Sequence, residues 1–351
     1  MAEYHSTIIP LNLNGLCLMV PMIYYLFPTF PTDGKAPLNP YIMDFSNALN
    51  RAVTVINHGR RTNMALLDLL KNSFSANVYV FNWIENTAQK KFGVIQTIVF
   101  LFVILPILKI RRTKVVWVFH NFVSHDAENR LSSLIRRVMS RQSDVILTHS
   151  KEAEIYLKGL GIDAKRIHYL CHPMKHYEIS CQKACEKVYD ILIWGSINPY
   201  KGIADFLEFA KENKEEYKIK LVGYTSNIEY SNRITNALTG NVSFENRKVD
   251  FGELEDLIAS SRFVLFPYLK KSVSSSGALM DTLSFGGSPI GPNKGAFVDM
   301  EAEGLCYTYN NYKDIRDIIS KKNSVPYEEI EKFIKNNSWD SFVEKLVANT
   351  T

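Results

Sequence analysis

Val264-Leu-Phe-Pro-Tyr-Leu-Lys-Lys-Ser-Val-Ser-Ser-Ser-Gly-Ala-Leu-Met-Asp-Thr-Leu-Ser-Phe-Gly-Gly-Ser-Pro-Ile-Gly291 passes from a strand-like apolar run into a loop of serines, then at Gly277 into an apolar helix-like run. A serine-rich linker does not sit between a buried strand and an apolar helix. The loop therefore reads as a cradle of backbone N–H groups and hydroxyls opening a helix, an arrangement suited to a phosphate. Upstream, Ile193-Trp-Gly-Ser-Ile-Asn-Pro-Tyr-Lys-Gly202 repeats the plan: a strand ends at a glycine and a turn delivers Lys201 just before a helix. Gly195 permits close backbone approach, and Lys201 stands where a cation and a helix N-terminus can face one anion, such as a diphosphate. Taken alone, Tyr200-Lys-Gly202 also fits a lysine capping a surface turn.

Working outward, strand-like runs alternate with amphipathic, helix-length segments from Met22 onward, the pattern of parallel sheets covered by helices. The sequence predicts strands at 22–27, 52–56, 77–81, 115–119 and 145–147, and a second series at 190–194, 219–222, 242–244 and 263–267. A polar stretch at 174–187 separates the two series. This gives two doubly wound domains, 1–180 and 181–351, with closing helices over 327–348, and ligands expected beyond the carboxyl ends of the strands. A chain of 351 residues suits two cores better than one.

The composition is that of a globular protein, with 46% hydrophobic and 22% charged residues. A net charge of +5, scattered except near residues 109–114 and 136–141, fits a small anionic substrate or a membrane surface better than a nucleic-acid groove. Five cysteines without a zinc-finger pattern are expected to be reduced thiols in a cytoplasmic protein. The apolar stretch at 16–20 lacks the basic flank and cleavage site of a signal peptide, and residues 22–27 could themselves open a protein, which leaves a natural start near residue 22 as an expectation.

Residues 94–108 are almost continuously apolar and run into Lys109-Ile-Arg-Arg-Thr-Lys114. The stretch is shorter than the ~20 residues that span a bilayer. Two readings stay open: a buried helix of the first domain, or a surface helix dipping into the cytoplasmic face of the inner membrane while the basic cluster meets anionic headgroups.

Tyr200-Lys-Gly202, the serine–glycine cradle and Phe285-Gly-Gly-Ser-Pro-Ile290 together resemble the donor half of the large retaining GT-B glycosyltransferase family, which includes bacterial capsule and lipopolysaccharide enzymes. The resemblance implies an α/β GT-B fold, two Rossmann-like domains with an interdomain cleft, and transfer of a hexose-type sugar from a nucleoside-diphosphate sugar to a glycan or lipid-linked glycan. It implies a donor site at Gly195, Ser196, Asn198, Lys201, Gly202, Ser274, Ser275, Ser276, Gly277 and Asp281, with Asp299 as the acidic residue of the closing loop. In the first half, Val116-Trp-Val-Phe-His-Asn-Phe-Val-Ser-His-Asp126 is similar to the family's cleft loop. By that similarity His120 approaches the donor sugar, while Asn121, His125 and Asp126 lie on the acceptor side with Asn39 and Tyr41 of the loop at 34–41. The implied catalytic residues are His120 and Lys201, and no metal or cofactor is required; Asp-x-Asp, the usual metal motif, is missing.

Two departures from the family stand out. Where many members carry two glutamates across the cradle and helix, this chain has Val273 and Asp281, and an arginine that often accompanies the lysine is replaced by Ser196 or Asn198. The donor is therefore not named by the resemblance. Two rivals remain: a sugar-nucleotide epimerase of the same fold, acting without an acceptor, and a non-catalytic GT-B-like subunit. A nicotinamide oxidoreductase is disfavoured because no Gly-x-Gly-x-x-Gly follows either first strand.

Overall fold

Val78–Asn82 is buried at every residue, which is what a strand with helices on both faces of its sheet requires. The same demand organises the rest of the chain. The structure, a computed structural model, describes residues 8–13, 16–30, 40–120, 129–177, 186–269 and 276–351, with side chains from Pro21 onward. The chain forms two units: Met1–Cys171 with Trp339–Thr351, and His172–Ser338.

The first unit begins with an antiparallel hairpin, β1 (Ile8–Leu13) and β2 (Leu16–Pro21), which the sequence did not predict. Six parallel strands follow: β3 (Ile23–Phe27), β4 (Thr54–Val55), β5 (Val78–Asn82), β6 (Lys114–Phe119), β7 (Val145–Thr148) and β8 (Ile167–Tyr169). Their order is β4-β3-β5-β6-β7-β8. The helices are α1 (Pro40–Ala52), α2 (Ala65–Lys71), α3 (Gly93–Val99), α4 (Leu105–Ile110), α5 (Arg130–Gln142) and α6 (Lys151–Gly159). A π turn, Phe100–Ile104, joins α3 to α4, and its last bond runs from the Leu105 N–H to the Phe100 carbonyl. It falls just before Pro106, which has no N–H to give and whose ring would crowd the carbonyl four residues back.

In this helical stretch from 93 to 110 the buried-helix reading of 94–108 holds for one face. Phe100, Ile104, Leu105 and Leu108 are buried in the first unit's core, while Val94, Ile98 and Phe102 face outward.

The second unit repeats the plan with β9 (Tyr189–Trp194), β10 (Ile219–Gly223), β11 (Val242–Asn246), β12 (Ser261–Leu265), β13 (Pro289–Pro292) and β14 (Tyr307–Tyr309). All are parallel, in the order β11-β10-β9-β12-β13-β14. Its helices are α7 (Ile203–Glu212), α8 (Ile228–Ala237), α9 (Phe251–Ala259), α10 (Gly277–Ser284), α11 (Ala296–Ala302), α12 (Tyr312–Lys321) and α13 (Tyr327–Asn336).

The final helix, α14 (Trp339–Ala348), departs from the sequence expectation, which grouped it with the second half. Its apolar face (Trp339, Phe342, Val343, Leu346) belongs to the first unit's core and covers Tyr41, Phe45 and Leu49 of α1. Behind it, the Tyr24 and Thr350 hydroxyls meet at 2.6 Å. One face of the first sheet would otherwise be left open, so burial of this stripe decides where the helix goes. The boundary between units likewise falls at Cys171, not at residue 180.

Phe342 packs edge-on against Phe45 at 5.3 Å and is almost fully buried. Phe342→Ala should therefore cost ~3–5 kcal/mol, the usual range for an aromatic truncated in a core. Urea unfolding checks this, and a loss below ~1 kcal/mol would mean that α14 does not close the first core.

Candidate functional site

In the second sheet β9 lies at the point where the winding reverses: β10 and β11 are laid down on one side of it, and β12, β13 and β14 on the other. Loops leaving the carboxyl ends of β9 and β12 therefore diverge, and the crevice between them is where doubly wound sheets bind ligands. The backbone there is close-packed. A Cβ on Gly223 would lie 2.0 Å from the Gly195 carbonyl oxygen, and one on Gly202 would lie 2.2 Å from that of Pro267. Gly195 and Gly202 both take positive φ, 101° and 62°, conformations that side chains resist. Tyr312 reinforces the corner by donating its hydroxyl to the Pro267 carbonyl at 3.1 Å.

Between these glycines a single 3-10 turn, Pro199–Lys201, turns the Lys201 side chain inward. Lys201 is only 7% exposed, which removes the reading of a lysine capping a surface turn. Its ammonium donates to Ser196 Oγ at 3.1 Å and lies 5.6 Å from the centre of the Tyr268 ring. Asn198 Nδ2 reaches the same serine oxygen at 3.4 Å. Among the described residues no carboxylate pairs with Lys201, and desolvation pushes its pKa down to about 8. A buried cation without an anion is costly unless something supplies the missing charge, and such groups mark functional sites.

Tyr268 follows β12 and is buried. Its hydroxyl lies 3.4 Å from Ser276 Oγ, and burial raises its pKa, so it stays a neutral phenol. Ser276 is the N-cap of α10, accepting the Leu279 N–H at 3.3 Å, and Gly277 opens the helix, with no atom of the described residues within 4 Å of where a Cβ would sit. Asp281 lies half-buried one turn into α10. Asp299 is buried in the first turn of α11, beyond the carboxyl end of β13. The structure thus brings Gly195, Ser196, Asn198, Lys201, Gly202, Ser276 and Gly277 to the carboxyl edge around the β9/β12 crevice. Ser274 and Ser275 lie outside the described residues.

The first unit gathers a second set at the carboxyl ends of β5, β6 and β7. His120 is buried after β6, and its Nε2 stands 3.0 Å from Asn82 Oδ1. Asn82 Nδ2 donates to the Phe27 carbonyl at 3.1 Å, which leaves the amide oxygen to accept and places the His120 proton on Nε2. Trp83 stacks on His120 at 4.2 Å, and Tyr41 meets it edge-on at 5.0 Å. His149 takes the opposite tautomer. Its Nδ1 donates to the Leu170 carbonyl at 2.8 Å, so its Nε2 accepts the Tyr41 hydroxyl at 2.9 Å. Asn39, Asn121, His125 and Asp126 lie outside the described residues.

Sequence reasoning missed Tyr268, Asn82, Trp83 and His149. Each sits at or just beyond the carboxyl end of a parallel strand, so the strand-end rule that singled out His120 would have found them too.

No protein-family model and no curated protein matches the sequence. Solved structures do match. Anabaena HepE in complex with UDP-glucose is 11% identical, with a TM-score of 0.62 over 93% of this chain and 98% of its own. Sucrose-phosphate synthase from Thermosynechococcus elongatus is 12% identical, with a TM-score of 0.66 over 93% and 98%. A glycosyltransferase from Rickettsia africae is 11% identical, with a TM-score of 0.62 over 93% and 97%. These neighbours are GT-B glycosyltransferases, and the chain shares their fold: α/β, with two units each built on a six-stranded parallel sheet.

The depressed Lys201 pKa carries a consequence for stability. Because the folded value of about 8 lies below the ordinary 10.5, burial of the charged form penalises the fold fully below about 8, and the penalty fades as pH rises towards 10.5. Lys201→Met should therefore be more stable than the wild type near neutral pH, by ~3 kcal/mol at most, with the gap closing in alkaline solution. Thermal melting across this pH range checks it; a variant less stable at neutral pH would assign Lys201 to the scaffold.

Proposed function

We propose that this chain is a glycosyltransferase that moves a hexose-type sugar from a nucleoside-diphosphate sugar to a glycan or lipid-linked glycan acceptor, with retention of anomeric configuration, in capsule, exopolysaccharide or lipopolysaccharide assembly. The observation that carries this reading is Lys201, a desolvated ammonium with no carboxylate partner among the described residues, held at a strand-end crevice beside a helix N-terminus. Glycosyl transfer from such a donor releases a diphosphate, and catalysis consists largely of stabilising the charge that develops on it. Lys201 supplies the missing positive charge, Ser196 and Asn198 orient it, and the cradle from Ser274 to Gly277 adds hydroxyls and amides. Asp281 and Asp299 complete the donor side.

On the first unit, His120 meets the sugar. Asn82 and Trp83 hold its ring in place and fix its proton on Nε2. Tyr41, with Asn39, Asn121, His125 and Asp126, lines the acceptor side. The reaction needs no resident metal or cofactor, and the leaving phosphate helps to accept the acceptor proton. UDP-glucose, the ligand in the HepE structure, is the first donor to try.

Calorimetry against UDP, GDP, ADP and CMP comes first, and one nucleoside diphosphate should bind and raise the melting temperature. In a transfer assay with the matching sugar, Lys201→Ala should lose ~2–4 kcal/mol of transition-state stabilisation, the scale of one charge-stabilising donor. Nucleotide binding without turnover would favour the non-catalytic rival, and full activity in Lys201→Ala would remove the assigned role.

The pH profile is a separate test. The ammonium is charged below its pKa, so kcat/KM, which reports the free enzyme, should fall as pH rises through about 8 rather than near 10.5. A flat profile across that range would overturn the assignment.

A further inference from the structure

We propose that the outward face of the 93–110 helix docks this chain, lying in the plane of the surface, on an anionic lipid bilayer. The proposal is independent of the sugar-transfer reading. A helix covering a soluble core presents polar residues to water. Here Val94, Ile98, Phe102 and Pro106, spaced four apart, are all exposed, with Ile95 and Val103 beside them. Phe102 is 73% exposed and Ile98 51%. The opposite face is equally apolar and is spent on the core, where Phe100, Ile104 and Leu108 are fully buried. The helix is therefore largely apolar all round, yet among the described residues of the first unit only one side has a partner.

The charge around this face says what covers the other side. Between Glu85 and Asp126 there is no acidic residue, while Lys90 and Lys91 precede the helix, Lys109 lies in its last turn, and Arg111, Arg112 and Lys114 follow it. Lys109 is engaged with Asp144 at 2.9 Å, but the others have no carboxylate partner among the described residues. Each end also carries an exposed aromatic beneath a cation: the Lys91 ammonium lies 5.3 Å from the Phe92 ring, and the Arg111 guanidinium 5.3 Å from Phe74. Helix α5, which packs against α3, contributes four arginines and no acid. An apolar strip rimmed mostly by cations matches the boundary between acyl chains and anionic headgroups.

Two other occupants fit less well. A second copy packed face to face would bring like charges together around the same strip, since a two-fold interface sets each patch against itself. Spanning the bilayer would suit the length and apolarity of the helix. It would also pull Phe100, Ile104 and Leu108 out of the core and tear the helix from β6, which begins only a few residues after it.

The test is co-sedimentation of the full chain with vesicles of phosphatidylcholine alone and of phosphatidylcholine mixed with phosphatidylglycerol. The expected result is pelleting with the anionic vesicles and not with the neutral ones, weakened by salt. Ile98→Asp with Phe102→Asp should lower partitioning roughly tenfold or more while leaving the melting temperature unchanged, because both side chains are exposed. Lys90→Gln with Lys91→Gln should lower it by a smaller factor and only on anionic vesicles. Failure to bind anionic vesicles, or undiminished binding by the aspartate variant, would overturn the proposal. So would a concentration-dependent dimer in light scattering that the aspartate variant abolishes, since the occupant would then be a second copy.

Discussion

A parallel sheet must be covered on both faces, so each strand is followed by a crossover that returns the chain to the same edge. When the direction of winding reverses, two neighbouring loops leave that edge in opposite directions and a crevice opens between them. In the second unit the reversal falls at β9, and nearly every feature of the crevice around Lys201 follows from it. Gly223 and Gly202 let backbones touch where a methyl group would not fit, closing the floor and one wall. The turn between Gly195 and Gly202 is then so tight that Lys201 is turned inward instead of towards solvent.

That inward turn sets the electrostatics. A lysine on a surface turn keeps its ordinary pKa and binds anions weakly in competition with water. Desolvated beside the Tyr268 ring and Ser196, the same group pays for its burial until an anion arrives, and the attraction is then felt in a medium of low dielectric. The first unit works differently: His120 turns its Nε2 to the Asn82 amide oxygen, and His149 its Nδ1 to the Leu170 carbonyl. One unit thus presents a poised charge and the other directional donors and acceptors within an aromatic frame of Tyr41 and Trp83.

The fold itself is shared by proteins of many activities, so it weighs less than the site. The described site is also modest in its means. Among the described residues no carboxylate pairs with the lysine. The outward strip of the 93–110 helix has an independent cause: a segment apolar on every side cannot satisfy itself on one core face alone.

The sequence by itself determined nine of the twelve parallel strands, missing β8, β13 and β14, together with the strand–glycine–lysine and strand–serine–helix units and the positions of Gly195, Lys201, Ser276 and His120. These are local signals, carried by runs of apolar residues and by the glycines and caps that end them. It did not determine that α14 belongs with the first core, because five apolar residues on a short helix have no address until the face they cover exists. Nor did it show Lys201 buried, or find Tyr268, Asn82, Trp83 and His149. Burial depends on how closely β9 and β12 and their loops approach, and those four residues acquire their partners only through strands and helices brought together from distant parts of the chain. Only the tertiary structure decides those distances, since the strand-to-strand hydrogen bonds and the burial of both sheet faces that set them have no local counterpart in sequence.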